Sequence, residues 1–313
     1  MRVLITGSSG FTGRAMVRYL TSRGNVEIAC LARTNNAGLF RSDRISWFFA
    51  DLLDRKSLRS AVASAKPEAV LHLAGMTRGM LPALQAANIE GTKNLLDAVI
   101  SSNPSYPVVV VSSSAVYGYA GCAPIQESQP LKPVSDYGIS KAGQEALCMQ
   151  YIDAGKGRIA ITRPFNLVGP GQPDTFVCGR IIRQVLEIEQ GKRDSLDLLE
   201  TDSFRDFIDV RDVVQGYWSI LSHPEFDHVC SGNTFNLGSG EPKSIADVIH
   251  ILEEITGETY SIRLPEEPVP VPVPCQRSDN RRISTVTGWK PTIPLSTSLR
   301  DMLDAARNHA GAS

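Results

Sequence analysis

Short apolar runs alternate with longer amphipathic segments along the first half of the chain. The apolar runs are rich in β-branched residues and predict buried strands, whereas the amphipathic segments predict helices. The predicted strands cover residues 3–6, 26–31, 45–50, 69–73, 108–111 and 159–163, and the predicted helices cover residues 11–22, 54–65, 88–100, 137–154 and 177–190. Because strand and helix follow in turn, we expect an α/β fold with a doubly wound parallel sheet.

The pattern changes near residue 165. Beyond this point short strands, loops and helices are mixed, and the alternating Pro and Val of residues 265–274 predict an extended surface segment or a sheet edge. We therefore expect a first domain over residues 1–165 and a smaller mixed α/β domain over residues 166–313. Some C-terminal segments are expected to return to the first domain.

The composition is that of an ordinary globular protein. Of the 313 residues, 42% are hydrophobic and 21% are charged, and the formal net charge is −1. A balanced charge does not favour nucleic acid or an anionic membrane surface as a partner. No apolar run approaches the roughly 20 residues that span a bilayer, and the first residues lack the pattern of a signal peptide. We therefore expect a cytoplasmic protein.

The six cysteines are scattered along the chain. None lies in a CxxC pair, and no histidine lies at the spacing of a metal ligand. This distribution indicates reduced thiols, not a disulfide framework or a zinc site, so we expect no bound metal.

Three glycines follow the first predicted strand. Gly7, Gly10 and Gly13 form the pattern GxxGxxG directly before the first predicted helix. Glycine permits the positive φ of a tight turn and lets the backbone approach a pyrophosphate, while the helix N-terminus offers free N–H groups to that anion. The strand before and the helix after are the context that this motif requires, so we expect a Rossmann-type dinucleotide site. The alternative is a turn that serves packing alone.

The end of the second predicted strand bears on the choice of cofactor. Sites for NAD commonly place an acidic side chain there, about 20 residues beyond the glycines, to bind the ribose 2′-hydroxyl. This chain has Arg33 instead. Because a guanidinium binds a 2′-phosphate through charge-assisted hydrogen bonds, we expect NADP(H) in preference to NAD(H); the alternative is a solvated arginine. Asp51, after the third strand, is a candidate for binding the adenine amino group or for capping the next turn.

A serine-rich strand end and a tyrosine–lysine pair indicate the reaction class. Ser113 follows the fifth predicted strand, and Tyr137 and Lys141 stand four residues apart on one face of a helix. A tyrosine has a pKa of about 10, so it is a poor proton shuttle near neutrality. We expect the neighbouring ammonium and an oxidised nicotinamide to lower that pKa, while the serine hydroxyl holds the substrate oxygen. The alternative is that the pair only decorates the helix.

Four motifs together resemble the extended short-chain dehydrogenase/reductase family, the group of NAD-dependent epimerases and dehydratases of nucleotide sugars. They are TGxxGFxG from Thr6, HLAG from His72, SSxxVYG from Ser112 and YGxSK from Tyr137. By this resemblance Ser113, Tyr137 and Lys141 form the catalytic triad, with Ser114 as the alternative to Ser113. The same resemblance implies that Lys141 also binds the nicotinamide ribose.

The resemblance further implies a set of cofactor contacts and a mode of assembly. The implied cofactor-binding residues are Gly7, Gly10, Phe11, Gly13, Arg33, Asp51, Leu52, Ala74, Tyr137, Lys141 and Pro164. The helices predicted over residues 88–100 and 137–154 correspond to those that form a four-helix homodimer interface in the family. The alternative is that their faces are buried within the monomer.

Motifs in the second half resemble the subgroup of GDP-mannose 4,6-dehydratases and, more closely, GDP-4-keto-6-deoxy-mannose reductases. They are RPFN at 163–166, GPGQ at 169–172, RDFIDVRD at 205–212 and TGWKP at 287–291. This likeness implies that the substrate is a nucleotide-diphosphate sugar, with a GDP-sugar favoured. Asn166 and Val177 would contact it, and Arg205 would bind its diphosphate. Arg180 and Arg183, three apart on one predicted helix, would add phosphate contacts, or they would lie on a solvated helix face.

The residues beside the serine separate the possible reactions. In this family a 4,6-dehydratase carries a carboxylate just after the catalytic serine, whereas Ser114 and Ala115 carry none. A 4-epimerase and a 4-keto reductase need only the triad and a hydride carrier, and a released NADPH suits a reductase. Arg33 therefore favours NADPH-dependent reduction of the 4-keto group of a 4-keto-6-deoxy sugar, with Tyr137 as general acid. The alternatives are an NAD-dependent 4-epimerase and, further removed, a dehydratase or a non-catalytic NADP-binding protein.

One departure from the subgroup leaves the nucleotide open. The subgroup carries Arg-Pro-x-Glu near the C-terminus, where the arginine binds the nucleotide, whereas residues 269–272 here are Val-Pro-Val-Pro. Arg277 is a candidate replacement. The base is therefore guanine, uracil, thymine or cytosine.

Overall fold

The computed structural model describes residues 1–34, 40 and 42–310. The strands are β1 Arg2–Thr6, β2 Glu27–Ala32, β3 Ile45–Phe49, β4 Ala69–His72, β5 Pro107–Val111, β6 Arg158–Pro164, β7 Asn166–Val168, β8 Leu196–Asp197, β9 Phe204–Asp209, β10 Thr234–Leu237, β11 Pro242–Ser244 and β12 Ile262–Arg263. The helices are α1 Phe11–Arg23, α2 Arg55–Ala65, α3 Leu81–Gln85, α4 Gly91–Ser102, α5 Asp136–Asp153, α6 Val177–Glu189, α7 Val210–Leu221, α8 Ile245–Thr256, α9 Arg281–Thr287 and α10 Leu295–Ala310.

Seven parallel strands form the central sheet in the order β10-β6-β5-β4-β1-β2-β3. The chain builds the sheet outward from β1 to β3 on one side and then from β4 to β6 on the other. The order therefore reverses between β1 and β4. Open parallel sheets bind ligands at the carboxyl ends of the strands beside such a reversal. The predicted doubly wound α/β fold is confirmed, and its switch point marks the edge where a ligand belongs.

Two apolar layers cover the faces of this sheet. On one face Met16, Val17 and Leu20 of α1 pack with α7, and on the other face α2 and α4 pack together. A strand that is covered on both sides has no polar face, so its residues need not alternate. Val109, in the middle of β5, is fully buried, and its two neighbours are 1% exposed. Burial on both faces is thus the reason why β5 is a continuous run of valines.

Local signals end and begin several helices where the sequence predicts. α1 stops at Gly24, whose φ of 79° is a left-handed conformation that glycine adopts without strain. Asp54 caps α2 by accepting hydrogen bonds from the Lys56 and Ser57 backbone nitrogens. Ser135 caps α5 in the same way through the Gly138 nitrogen. These caps fix the end of the helix after β1 and the starts of the helices after β3 and after Ser113.

The helix predicted over residues 88–100 begins earlier than expected. α3 starts at Leu81 and continues through a π-helical turn, Ala86–Glu90, into α4. Pro82 lies in the first turn of α3, where its fixed φ favours a helix start. The apolar pattern on which the prediction rests does not include that signal. The wide turn also brings Asn88 inward, where it is completely buried.

The second half of the chain contributes to the central sheet and also forms two smaller sheets. β10 pairs with β6, so one strand of the main sheet comes from beyond residue 165. β11, β9 and β7 form a three-stranded sheet, and β12 pairs with β8. Residues 264–274 form no regular element and are mostly exposed, as the Pro and Val alternation predicts. The division into domains at residue 165 stays a prediction.

No helix in the described ranges combines the length and the apolar character needed to cross a membrane.

Candidate active site

The turn between β1 and α1 requires glycine at two positions. Gly7 has a φ of 68°, and a Cβ there would lie 2.8 Å from the Ala74 nitrogen just after β4. A Cβ on Gly13 would lie 2.1 Å from the Gly7 carbonyl oxygen. Gly10 is the N-cap residue and supplies no side-chain cap, so the first N–H groups of α1, from Phe11 onward, are available to an anion. This cradle at the switch point fits the pyrophosphate of a dinucleotide.

Arg33 and Asp51 lie at the same edge of the sheet, beyond β2 and β3. Arg33 directly follows β2 and is exposed. Asp51 is also exposed, and its Oδ1 accepts a hydrogen bond from the Leu53 nitrogen at 2.9 Å, so it does cap the turn. The carbonyl oxygen of Leu52 accepts from Asn94 Nδ2 at 2.9 Å, which fixes this turn against α4. The edge therefore presents one cation and one carboxylate beyond the glycine turn.

The two candidate serines have different partners. Ser113 caps a short 3₁₀ turn, accepting from the Ala115 nitrogen at 3.1 Å, and its hydroxyl lies close enough to the Tyr137 phenol to lower the pKa of Tyr137. Ser114 is 5% exposed, and its hydroxyl donates to Gln276 Oε1 at 3.4 Å. The structure thus brings Ser113, and not Ser114, to Tyr137.

Tyr137 is held in its protonated form. Burial raises the pKa of Tyr137, and the nearby Ser113 hydroxyl lowers it by a smaller amount. Burial dominates because it penalises the tyrosinate. The expectation that the Lys141 ammonium and an oxidised nicotinamide together lower this pKa stays a prediction.

Lys141 is buried and is held by two acceptors. Its Nζ donates to the Val111 carbonyl oxygen at 2.7 Å and to Gln144 Oε1 at 2.6 Å. Burial lowers the pKa of Lys141 to about 8, and the Glu145 carboxylate opposes that shift. The ammonium is thereby fixed at the carboxyl end of β5.

Gln144 is one end of a buried hydrogen-bond chain that leads to His72. Gln144 Nε2 donates to Thr92 Oγ1 at 2.7 Å, and the Thr92 hydroxyl donates to the Asn88 carbonyl oxygen at 2.6 Å. Because the single hydroxyl proton of Thr92 is used there, His72 Nε2 is the donor in its 2.9 Å contact with Thr92. His72 Nδ1 then accepts from the Thr6 hydroxyl at 2.7 Å.

This assignment requires a neutral imidazole. Burial lowers the pKa of His72 to about 3, and the charge of Lys141 acts in the same direction. The series of hydrogen bonds from Thr6 through His72, Thr92 and Gln144 to Lys141 is here called the buried relay. Its protons therefore have only one arrangement. A polar network whose members are all paired is rigid, so the relay fixes the position of the Lys141 ammonium.

A second buried polar cluster anchors α5 to the sheet. The Arg163 guanidinium bonds to Glu145 through Nε at 2.9 Å and through Nη2 at 2.6 Å. Its Nη1 donates to the Tyr117 hydroxyl at 2.7 Å, and that hydroxyl donates to Asn236 Oδ1 on β10 at 2.7 Å. A paired, bidentate guanidinium joins α5, β6 and β10 directly below the catalytic candidates.

Asn166 and Arg205 share one face of the three-stranded sheet. Asn166 in β7 pairs with Phe207 in β9, and Arg205 stands two residues before Phe207. Because side chains alternate along a strand, Asn166 and Arg205 project to the same side. Asn166 Nδ2 is buried and has no hydrogen-bond partner among the described residues. Burial lowers the pKa of Arg205, and the Glu200 carboxylate opposes that shift without forming an ion pair within 4.0 Å among the described residues.

α6 places two further candidates beside this face. Val177 is its first residue, and the N-terminus of α6 has no side-chain cap. Arg180, in the first turn, is partly exposed. Arg183 is exposed and forms ion pairs with Asp174 at 3.2 Å and with Glu187 at 2.5 Å, and its part in substrate binding stays a prediction. Arg180, unlike Arg183, forms no ion pair with any described residue.

Metal ligands do not gather anywhere in the part of the chain that the structure describes. Arg277, the candidate replacement for the missing nucleotide-binding arginine, is exposed, and its Nε donates to the Gly240 carbonyl oxygen at 2.8 Å. Its guanidinium is thus partly engaged with the protein's own backbone.

Sequence reasoning assigned no role to Thr92, Gln144 and Gln276. Gln144 follows Lys141 by three positions on one helix face, and this spacing is a usable signal for contact. Gln276 lies 162 positions from Ser114, so no local pattern predicts that pair. Only the folded chain brings these side chains together.

Comparison with known proteins agrees with this geometry. The model of the GDP-mannose 4,6 dehydratase family matches residues 4–302. The chain belongs to this family. GDP-6-deoxy-D-mannose reductase of Pseudomonas aeruginosa is a relative that is 33% identical, with 96% of each chain covered. This member of the GDP-mannose 4,6 dehydratase family is thus an extended short-chain dehydrogenase/reductase, a nucleotide-sugar oxidoreductase or epimerase.

Solved structures place this family member in the same fold. The structure of RMD from Pseudomonas aeruginosa complexed with NADPH aligns with a TM-score of 0.85 at 31% identity, covering 98% of this chain and 99% of that one. UDP-glucuronic acid 4-epimerase from Bacillus cereus, in complex with UDP-glucuronic acid and NAD, aligns with a TM-score of 0.87 at 25% identity, covering 99% and 100%. The likeness extends over both halves of the chain.

Proposed function

We propose that this protein reduces the 4-keto group of a nucleotide-activated 4-keto-6-deoxy sugar with NADPH, a GDP-sugar being favoured. The observation that carries the proposal is the interaction between Ser113 and a protonated Tyr137 just beyond β5, at the same edge of the sheet as the glycine turn. A phenol that keeps its proton is suited to giving one, and a carbonyl that gains a hydride needs a proton on its oxygen.

The residues of the chain divide the chemistry between them. When bound, the reduced nicotinamide supplies a hydride to the carbonyl carbon. Ser113 Oγ holds the carbonyl oxygen, and Tyr137 Oη gives that oxygen its proton. The ammonium of Lys141, held by Val111 and Gln144, lies on the same helix and favours the tyrosinate that remains.

The cofactor would lie along the carboxyl edge of the sheet. Gly7, Gly10, Phe11 and Gly13 would surround the pyrophosphate, Asp51 and Leu52 the adenine, and Ala74, Pro164, Tyr137 and Lys141 the nicotinamide half. Arg33 would bind the 2′-phosphate of NADPH, which supports NADP(H) over NAD(H). That RMD was solved with NADPH supports the same choice, although the epimerase was solved with NAD.

The sugar nucleotide would lie over the three-stranded sheet. Arg205 and Arg180 are guanidinium groups without a carboxylate partner in the described ranges, and they suit a diphosphate. The unpartnered amide of Asn166 would donate to the sugar or its phosphates, and Val177 would contact the same ligand. The name of the 33% identical relative supports a GDP-linked sugar.

Arg33 favours reduction over epimerisation. An exposed guanidinium just beyond β2 suits the 2′-phosphate of a released NADPH, whereas an epimerase usually keeps a bound NAD. A dehydratase is disfavoured because Ser114 bonds to Gln276 and Ala115 has no polar group, so neither supplies a carboxylate.

The test is a panel of GDP-, UDP-, dTDP- and CDP-linked 4-keto-6-deoxy sugars with NADPH and with NADH, followed by the absorbance of the reduced cofactor. The proposal expects loss of NADPH equal to the sugar supplied, with NADH consumed more slowly. Interconversion of 4-epimers without net loss of reduced cofactor would establish the epimerase instead.

We also propose a homodimer through α4 and α5. α5 buries Lys141 and Gln144 inside the monomer, while Ile139 and Met149 on its other side are 40% and 38% exposed. A second copy would cover this apolar stripe. A double substitution, Ile139→Glu with Met149→Glu, should give a monomer in light scattering, whereas Leu264→Glu at an equally exposed site should not. A monomeric unmodified protein would contradict the proposal.

A further inference from the structure

Two cysteines that are far apart in the sequence lie near each other in the structure. Cys122 lies close enough to Cys275 to raise the pKa of the Cys275 thiol. Cys122 is exposed and Cys275 is 4% exposed, while the other four cysteines are buried. The six cysteines are scattered along the sequence, but folding brings this pair close together.

The backbone around the pair is held by a parallel bridge. Ile125 pairs with Ser278, and the Ile125 nitrogen donates to the Arg277 carbonyl oxygen at 2.8 Å. Cys122 and Cys275 each stand three residues before a partner of that bridge, which brings their two segments side by side. A disulfide needs Cα atoms about 4.4–6.8 Å apart. The nearness of the thiols and the bridge between their segments are both compatible with that requirement.

We propose that Cys122 and Cys275 form a modification site that hydrogen peroxide oxidises to an intrachain disulfide. The Cys122 thiolate attacks one peroxide oxygen, so an S–O bond forms and the O–O bond breaks. The departing hydroxide takes up the proton that the thiol released. The Cys275 sulfur then attacks the Cys122 sulfur, the S–S bond forms and the S–O bond breaks, and the second hydroxide leaves as water with the Cys275 proton. Two thiols lose two electrons, and one peroxide becomes two waters.

The environments of the two thiols set the order of these steps. Burial raises the pKa of Cys275 to about 11, and the neighbouring Cys122 adds to that shift. Cys275 therefore stays protonated, and the peroxide meets the exposed Cys122 first. Cys275 then acts as the resolving thiol.

The disulfide would act on the substrate side of the site, a consequence that rests on the proposed function. Cys275 forms a backbone bridge with Phe204, whose nitrogen donates to the Pro274 carbonyl oxygen at 2.8 Å. Arg205 is the next residue and lies close enough to Cys275 to lower its pKa. Tying this segment to the Cys122 loop restrains Arg205, so the disulfide is expected to raise the KM for the sugar nucleotide several-fold.

The experiment treats the full chain with hydrogen peroxide, blocks free thiols with N-ethylmaleimide and digests the protein without reduction. Mass spectrometry should find the peptides of Cys122 and Cys275 joined, and dithiothreitol should separate them. Cys122→Ser should abolish the link, whereas Cys178→Ser, at a buried cysteine elsewhere, should leave it intact. A Cys122 sulfenic acid trapped by dimedone while Cys275 stays unlinked, or a link between two chains, would overturn the proposal.

The kinetic consequence has its own test. KM of the oxidised protein should return to the reduced value after dithiothreitol, and peroxide should not change KM of Cys122→Ser. An intact link with unchanged KM would refute the effect on Arg205. Because the link is detected by mass, it remains measurable even if no sugar nucleotide in the panel is reduced, so the two proposals fail separately.

Discussion

Two polar regions of this molecule differ in how their hydrogen bonds are satisfied. Around Lys141 the buried relay pairs its donors with acceptors inside the protein, from Gln144 through Thr92 to His72. On the three-stranded sheet, by contrast, Asn166 Nδ2 is buried without a partner among the described residues, and Arg205 has no carboxylate within ion-pair distance.

The difference separates preorganisation from recognition. A group that must hold a proton or a charge in place gains from partners fixed before the ligand arrives. A group that must bind an anion is left with unused donors, because the ligand supplies the acceptors. Substitutions in the first region should therefore change kcat and its pH dependence, and substitutions in the second should change KM.

The largest effect is expected at Tyr137. Tyr137→Phe removes the proton donor, so kcat should fall by about 10²–10⁴-fold while NADPH binding, followed by fluorescence, persists. The matched control is Tyr151→Phe, on the same helix but bonded to Asp97, which should keep kcat within about twofold. Turnover by Tyr137→Phe at a tenth of the normal rate or more would rule out the phenol as the general acid.

The next largest effect is expected at Arg205, the proposed ligand of the substrate diphosphate. Arg205→Ala removes charge-assisted hydrogen bonds worth about 1.5–3 kcal/mol, so KM for the sugar nucleotide should rise roughly 10- to 100-fold with kcat little changed. Arg183→Ala is the control, since that arginine already pairs with Asp174 and Glu187. If Arg205→Ala and Arg183→Ala raised KM equally, Arg205 would not be a specific ligand of the diphosphate.

Gln144→Leu tests the first region, the buried relay around Lys141. It deletes the acceptor that favours the Lys141 ammonium, so kcat should fall roughly tenfold and the pKa of Lys141 should move further below its value of about 8. The alkaline limb of the kcat profile should therefore begin at lower pH. Gln150→Leu, at an exposed position of α5, is the control. A loss of activity with an unmoved pH profile would indicate a purely structural role.

The smallest effect is expected on the pH dependence of the free energy of unfolding, through His72. The pKa of His72 is about 3 in the folded chain and about 6.5 when unfolded, so the unfolded chain binds the extra proton. Stability is therefore lost as pH falls from about 6.5 towards 3, by about 2 kcal/mol at pH 5. His72→Asn should lose less free energy of unfolding between pH 8 and pH 5 than the unmodified protein. His250→Asn, at an exposed histidine, should match the unmodified protein; an unaltered slope in His72→Asn would contradict a neutral buried imidazole.

Local spacing was sufficient to predict the parallel sheet, whereas the choice of Ser113 as the partner of Tyr137 rested on the family resemblance. Strand periodicity, the glycine turn and the four-residue interval from Tyr137 to Lys141 each depend on neighbours in sequence. The burial that raises the pKa of Tyr137 could not be predicted from spacing, because burial is a property of the folded chain. Cys275 meets Cys122 through a long-range bridge, for which the sequence has no local signal.

The central claim is that a hydride reaches the sugar carbonyl while Tyr137 delivers the proton, and isotope transfer tests it most directly. NADPH carrying deuterium at the transferable position of its nicotinamide is supplied with a GDP-linked 4-keto-6-deoxy sugar, and the product is examined by NMR. The account predicts one deuterium at carbon 4 for each NADPH oxidised. Carbon 4 that carries hydrogen from another source, or a product formed with no NADPH oxidised, would contradict it.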